Sequence, residues 1–353
     1  MPRPRGPARL SPCALALLAA SLLLAASARS FADVQFQLAA TPVEAPVGPE
    51  PIDGILPPLA PSESAEGTPG RELTPDQTSG DVVTIDPSLT EEMTPEQYPD
   101  WSWRWLPVGL IYHSYMAGVH EPRMALVAMN NLDGRNLWDA TLGGRVGMVQ
   151  YGNGDPVNPV GYQLDFYGAA IARLDVDNKQ DLDSTDYVFG LPFTWGDSRQ
   201  QWKFGYSHLS SHLGDEYAIS HPGTLFNRVN YVRDSLVFGT SYYATPAWRL
   251  YGEAGWAFHA SDGAGEFSGQ FGTEYSEPGP TCHFVPFVAA NARVRDDDSE
   301  FRGDVTLQAG WLRRNIIGNT LRFGGQYYNG KSSQSQFYRL DEQQLGVGIW
   351  YDF

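Results

Sequence analysis

The chain has 353 residues, a net charge of -17 at pH 7 and an aromatic fraction of 13%. A chain this acidic is a poor ligand for nucleic acid and for the anionic surface of a bilayer, so neither kind of electrostatic binding is expected. Beyond the N-terminal segment the sequence has no run of about 18 consecutive apolar residues, which argues against membrane-spanning helices.

Residues 1–32 have the pattern of a cleaved signal peptide. Three arginines precede an apolar run at 14–26, and the small residues at 26–28 suit a signal peptidase. The apolar run is shorter than the about 20 residues of a spanning helix, and a polar segment follows it. We therefore expect a secreted mature chain in which Cys282 is the only thiol, and hence no intrachain disulfide.

Residues 33–100 form an acidic, Pro-rich segment with little apolar periodicity. Its prolines interrupt any helix or strand, and it has too few apolar residues to fold alone. We expect a disordered leader that acts as a solvated spacer. Binding of a cell-envelope partner through this leader is the alternative.

From Trp101 onwards the sequence changes to segments of two-residue periodicity separated by polar, Gly or Pro turns, which are typical of β-strands. The last segment, 345–353, alternates apolar and other residues and ends on Phe353. It resembles the C-terminal signature of outer-membrane barrels, in which lipid-facing and lumen-facing residues alternate along each strand. Residues 101–353 are therefore predicted to be all-β, a single antiparallel transmembrane β-barrel after the leader.

About twelve strands are predicted, an even number as in single-chain bacterial barrels. The segment 106–118 is expected to precede or plug the barrel. Tight connections at 196–199 and 244–246 suit periplasmic turns, and the longer stretches at 212–229 and 330–342 suit extracellular loops. The predicted strands lie near 122–130, 136–150, 160–174, 184–195, 200–211, 230–243, 247–260, 266–275, 282–294, 301–313, 317–329 and 343–353.

Three motifs resemble a bacterial protein family of unknown function, number 1207. They are Tyr112-His113-Ser114-Tyr115-Met116-Ala117-Gly118, then Ser207-His208-Leu209-Ser210-Ser211-His212-Leu213-Gly214-Asp215-Glu216, and Asn230-Tyr231-Val232-Arg233-Asp234. The resemblance covers about residues 101–353. It implies a membrane barrel and no established activity.

His208 and Ser210 stand at the end of a predicted strand whose even positions, Trp202, Phe204 and Tyr206, are aromatic. In a barrel this aromatic face is expected to point at lipid. Residues two apart on a strand share a face and lie about 6.6 Å apart along it. An imidazole can bridge that gap, so Ser210 is a candidate nucleophile and His208 its general base.

This His-x-Ser arrangement is similar to the active site of outer-membrane phospholipase A, a twelve-stranded barrel with an Asn on the adjacent strand. In that family an acidic residue five positions after the Ser helps to bind calcium, and Asp215 stands there in this chain. The Asn-Gly-Arg run that follows the Ser in the family is replaced by Ser211-His212-Leu213. The resemblance implies a lipid acyl hydrolase, either calcium-assisted or calcium-independent.

The residue that orients His208 is expected on the returning strand. Asn227-Arg228 looks most like the Asn-Arg pair of the phospholipase family. The alternation of the strand, however, puts Asn230 and Asp234 on the same face as His208, and Asn227 would share that face only if a bulge intervenes. An ionisable residue on a lipid face, such as Asp234, is costly and suggests a function. Asn230 is the first choice, Asp234 the second, and Asn227 stays open.

Three function classes remain. The first, slightly favoured, is a structural or small-solute barrel, whose lumen would be mostly filled by side chains at this size. The second is the lipid acyl hydrolase, and the third is a barrel that engages a partner through its outer loops. Membrane lipid is the expected partner, a homodimer is left open, and the expected location is the outer membrane of a Gram-negative-type bacterium.

Overall fold

The structure is a computed structural model that describes residues 101–223 and 228–353. The predicted signal peptide (1–32) and leader (33–100), as well as Asn227, lie outside the described residues. Thirteen strands form one antiparallel sheet. The second strand pairs with both the third and the last, so twelve strands close into a barrel and the first is accessory.

The strands of the barrel domain follow one another along the chain. In chain order they are β1 (Ser102–Trp105), β2 (Met124–Asn131), β3 (Asn136–Gly152), β4 (Gly161–Asp175), β5 (Asp181–Gly196), β6 (Gln200–Leu213), β7 (Val232–Thr245), β8 (Trp248–Ser261), β9 (Ala264–Ser276), β10 (Val285–Asp297), β11 (Glu300–Arg314), β12 (Thr320–Lys331) and β13 (Asp341–Asp352).

The predicted all-β barrel of about twelve strands is confirmed, and each predicted strand corresponds to one of β2 to β13. The alternation of faces is also as expected. Along β13, Val347 and Ile349 are exposed on the outside, whereas Trp350 is buried. Outward apolar residues on every second position are what a lipid-covered wall requires.

The ends of the barrel differ in the length of their connections. The tight turns after β5 and β7 lie at the same end as Phe353, because antiparallel strands alternate in direction. The long connections after β6 and β12 lie at the other end. They carry a short helix, α1 (Asp215–Ser220), and a 3-10 turn (Ser335–Phe337). Of the residues described, none belongs to a helix long and apolar enough to cross a membrane.

The strand β1 was not predicted, and it explains how the chain enters the barrel. β2 pairs with the first part of β3, up to Leu142, and β1 pairs with the last part, from Val149 to Gly152. The two short strands therefore lie along the same edge of β3. The segment between them, 106–123, leaves the wall and contacts side chains of the lumen, and we call it the plug.

Hydrogen bonds hold the plug to the inner wall. Tyr115, which is fully buried, donates to Glu253 at 3.0 Å and stacks on Tyr251 with ring centroids 3.9 Å apart. The backbone N–H of Met116 donates to Glu274 at 2.6 Å. The expectation that segment 106–118 precedes or plugs the barrel is therefore resolved in favour of the plug, which continues to residue 123.

Ion pairs fill much of the remaining lumen. Twelve-stranded barrels are narrow enough for side chains to occupy the interior. Most of these pairs join neighbouring strands, two join strands that are not adjacent, and one joins a strand to the plug. They include Arg145–Asp165, Arg173–Asp139, Arg173–Glu342, Lys203–Glu253, Arg249–Glu274, Arg293–Asp304, Arg322–Asp352 and Arg123–Asp352.

We predict that Arg173 is a main stabilising residue of the lumen. Its fully buried guanidinium donates to Asp139 at 2.8 Å and to Glu342 at 2.6 Å. Arg173→Met leaves both carboxylates without their counter-charge, so we expect the free energy of unfolding to fall by about 3–5 kcal/mol. Urea unfolding in lipid vesicles, followed by tryptophan fluorescence, measures this.

The control is Arg339→Met, which breaks a more exposed pair with Asp298. Exposed pairs contribute about 0–1 kcal/mol, so this variant should unfold close to the wild type. Equal losses of stability in Arg173→Met and Arg339→Met would contradict a special role for the buried arginine.

Candidate functional site

The outer and inner faces of β6 carry different chemistry. At its even positions Phe204 is exposed and His208 and Ser210 are half-buried on the same face. At its odd positions Lys203 pairs with Glu253 inside the lumen, and Ser207 accepts a hydrogen bond from Tyr167 at 2.8 Å. His208 and Ser210 therefore lie on the face that lipid covers.

His208 contacts a carboxylate on the neighbouring strand. His208 and Asp234 are direct cross-strand partners of β6 and β7, and His208 Nδ1 lies 2.8 Å from Asp234 Oδ1. Hydrogen bonding at Nδ1 fixes the tautomer of a histidine and leaves Nε2 for another group. The contact therefore orients the imidazole, with its second nitrogen unused by the described residues.

Two further side chains complete the shell of Asp234. The Tyr206 hydroxyl donates to Oδ1 at 2.5 Å, and His259 Nδ1 lies 3.0 Å from Oδ2. Both carboxylate oxygens therefore have partners on the lipid face. We call Tyr206, His208, Asp234 and His259 the outer-face cluster.

A β-bulge brings His259 to this face. The pairing of β7 with β8 passes from Asp234↔His259 to Ser235↔Ala257, so Phe258 is an extra residue. A bulge shifts the alternation of a strand by one position. Phe258 and the side chain of His259 are consequently both exposed, at 54% and 61%, and share the outer face.

Aromatic rings surround the polar atoms of the cluster. Phe189 of β5 lies against His208, with ring centroids 4.7 Å apart, and against Tyr206 at 5.8 Å. The side chains of His208 and Asp234 are only 19% and 20% exposed. Hydrogen bonds in such a low-dielectric setting are stronger than in water, so the cluster is expected to be well ordered.

The structure brings together some of the predicted site residues and separates others. Ser210 shares the face of His208 two positions along β6, but no hydrogen bond joins the two side chains in the described part of the chain. Asn230 precedes β7, is exposed, and uses its backbone N–H to bind Asp262 at 2.9 Å. Asp234, rather than Asn230, contacts His208.

Asp215 lies apart from this cluster. It is the exposed first residue of α1, followed by Glu216. Within residues 101–223 and 228–353, no group of three or more His, Cys, Asp and Glu side chains is placed to hold a metal ion. Calcium remains a prediction from the resemblance.

Comparisons with known proteins give a family. The model of the family described as "Protein of unknown function (DUF1207)" matches residues 93–353. The chain belongs to this family. That confirms the identification made from the three sequence motifs. A search of curated protein sequences gives no match.

Solved structures with a similar fold are outer-membrane proteins. The outer membrane phospholipase of Salmonella typhi, a dimer with bound calcium, is 12% identical and aligns over 65% of this chain and 91% of its own, with a TM-score of 0.43. The phospholipase A of Escherichia coli is 12% identical over 66% and 97%, with a TM-score of 0.43. A NanC porin is 8% identical over 65% and 100%, with a TM-score of 0.38. No function is transferred from them, because one fold hosts many functions.

We predict that Ser210 is accessible from the lipid phase. In a Cys282→Ser background, Ser210→Cys labelled with a fluorophore should be quenched by brominated lipid more than by aqueous iodide. The matched variant is Ser220→Cys, at the exposed end of α1, where iodide should quench and brominated lipid should not. Stronger quenching of the Ser210 label by iodide would place the cluster in water.

Proposed function

We propose that the protein is a lipid acyl hydrolase of the outer membrane, with Ser210 as nucleophile, His208 as general base and Asp234 as the residue that orients the base. The supporting observation is the contact of Asp234 Oδ1 with His208 Nδ1 at 2.8 Å on the lipid face. It leaves Nε2 as the nitrogen that takes a proton from a hydroxyl. A nucleophile, a base and an orienting acid in series are the logic of serine hydrolases.

The proposed reaction is hydrolysis of a lipid ester. Ser210 Oγ forms a bond to the acyl carbonyl carbon while its proton passes to His208 Nε2. The bond between this carbon and the alcohol oxygen then breaks, and His208 returns the proton to the departing alcohol. A water molecule, deprotonated by His208, hydrolyses the acyl-serine, which releases a fatty acid and restores the hydroxyl.

The outer-face cluster suits a substrate that comes from the membrane. An ester group lies near the headgroups of a lipid, and His208 and Ser210 lie toward the strand end that leads into the long connection. Tyr206 and His259 hold the carboxylate of Asp234 from both sides. An ionisable residue on a lipid face is costly, and a catalytic role explains why it is present.

A structural or small-solute barrel is the second candidate. It is favoured by the lumen, where the plug and the ion pairs occupy much of the interior. A lumen filled in this way is not an open pore. A barrel that acts on small solutes would therefore hold them in a closed binding cavity. A homodimer, an envelope partner for the leader and a partner for the outer loops stay predictions of the sequence.

We predict that Ser210 reacts with a fluorophosphonate probe in detergent-solubilised protein and that Ser210→Ala abolishes the labelling. Only a serine activated by a base reacts with such a probe. The control is Ser207→Ala, on the same strand but facing the lumen, which should label like the wild type.

Asp234→Asn should weaken labelling and ester hydrolysis by about a hundredfold or more, since positioned general-base catalysis contributes roughly 10²–10⁴ in rate. Hydrolysis of phospholipid in mixed micelles supplies the second readout. Unchanged hydrolysis in Ser210→Ala would rule out the proposed nucleophile and leave the second candidate.

Calcium dependence is a separate prediction. Because Asp215 is exposed at the start of α1 and lies apart from the outer-face cluster, we expect hydrolysis to continue in the presence of a chelator. Asp215→Asn should then match the wild type. The calcium-assisted form would be established instead if the wild type loses activity with the chelator and regains it with calcium, while Asp215→Asn does not respond to calcium.

A further inference from the structure

A cavity of about 160 Å³ lies in the lumen beside the plug. This volume is several times the ~30 Å³ that a water molecule occupies in the liquid. The side chains that line it are strongly cationic. The cations are Arg145, Lys203, Arg233, Arg293 and Arg295 of the wall. The carboxylates are Glu253 of the wall and Glu121 of the plug, and His120 of the plug also lines the cavity.

Most of these cations are already neutralised by a partner. Arg145 pairs with Asp165, Lys203 with Glu253, and Arg293 with Asp304. Such pairs offset the cost of placing a charge in a low-dielectric interior. Arg295 lies near the carboxylate of Asp297, so Arg233 is the arginine of this lining that has no ion pair among the described residues.

Arg233 is 5% exposed, and its only hydrogen bond within the described residues runs from Nη2 to the carbonyl of Glu266 at 3.2 Å. Nη1 is buried and has no partner there. A buried lysine can lose its proton, but a guanidinium stays charged. Among the described residues Arg233 makes no ion pair, so an anion that enters the cavity gains a charged partner there.

Arg295 has a similar deficit. It is 6% exposed, lies 3.5 Å from Asp297 through Nε, and donates from Nη2 to the carbonyl of Ser332 at 3.1 Å. Its Nη1 is buried without a hydrogen-bond partner. Arg233 comes from β7 and Arg295 from β10, so two guanidinium groups from different parts of the wall, each with an Nη1 that has no hydrogen-bond partner among the described residues, line one cavity.

We propose that this cavity is a binding site for a small oxyanion, a phosphate or sulfate group held by Arg233 and Arg295. The planar fork of a guanidinium matches two oxygens of such a group, which makes arginine the preferred residue for phosphate recognition. The hydroxyls of Ser235 and Ser268 also line the cavity and add donors. The site lies inside the barrel and is independent of the proposed hydrolase on the outer face.

The test is calorimetric titration of the purified protein in a nonionic detergent at constant ionic strength. The probes are inorganic phosphate, sulfate and glycerol 3-phosphate, with chloride as the reference anion. We expect saturable binding of at least one oxyanion and a rise of the unfolding temperature with its concentration, because a ligand that binds only the folded state stabilises it. Preference for glycerol 3-phosphate over the inorganic ions would identify an organic phosphate as the source.

Arg233→Gln should weaken this binding about tenfold or more, since a hydrogen bond to a charged group is lost. Arg295→Gln should act in the same direction. Arg339→Gln removes a cation on the outer loops and should bind like the wild type. Heat-modifiable migration in electrophoresis confirms that each variant is folded.

Stability without the anion separates a ligand-binding role from a structural one. Arg233→Gln should be at least as stable as the wild type in the absence of oxyanion, because an unpaired buried charge is removed. The proposal is overturned if the wild type binds none of the three probes, or if Arg233→Gln binds them with unchanged affinity.

Discussion

The closed hydrogen-bond ladder between β13 and β2 is the constraint on which the rest of this structure depends. Backbone N–H and C=O groups that face hydrocarbon must find partners within the wall, so a barrel in lipid has no free edge. β2 has 8 residues and β3 has 17, so β2 alone cannot pair with the whole edge of β3. β1 pairs with the last part of this edge, from Val149 to Gly152, and the backbone N–H of Leu106 donates to the carbonyl of Met148 next to it. The chain leaves the wall between β1 and β2, and the plug is the result.

The lumen then behaves as a polar core. A plug held by Tyr115 and Met116, together with paired arginines and carboxylates on the wall, replaces the water that would fill a wider barrel. Most of these charges have a fixed partner on an adjacent strand. Replacing one member of a pair by a neutral residue therefore leaves the other member as a buried charge without a partner, which is destabilising. This arrangement stabilises one packing of the plug and confines unsatisfied charge to the cavity next to it.

The alternation of apolar residues was sufficient to predict the wall. It predicted β2 to β13 and the faces of β6, β7 and β13, because lipid imposes the same two-residue pattern on every strand. It did not predict β1, whose four residues are too few to show a period. The plug could be predicted only as an alternative, since its partners are side chains from distant strands.

The site was less predictable than the wall, for local geometric reasons. The alternation of β8 assigns His259 to the lumen, and only the bulge at Phe258 moves it outward. Nothing in the sequence around Phe258 marks this bulge. Asn230 was preferred as the orienting residue, but β7 begins at Val232, so the register places Asp234 opposite His208. Tyr206 was assigned to the aromatic lipid face, which is correct, but its hydroxyl has a second role as a donor to Asp234.

Two consecutive residues of β7, Arg233 and Asp234, show how the wall separates two kinds of chemistry. Their side chains point to opposite faces, because successive residues of a strand alternate. The charge of Asp234 is satisfied by three neighbours, so the groups left for a ligand on that face are Ser210 and the second nitrogen of His208, which accept and transfer protons. The charge of Arg233 is not satisfied within the described residues, so the inner face offers a fixed positive charge. A neutral lipid ester suits the first environment and an oxyanion the second.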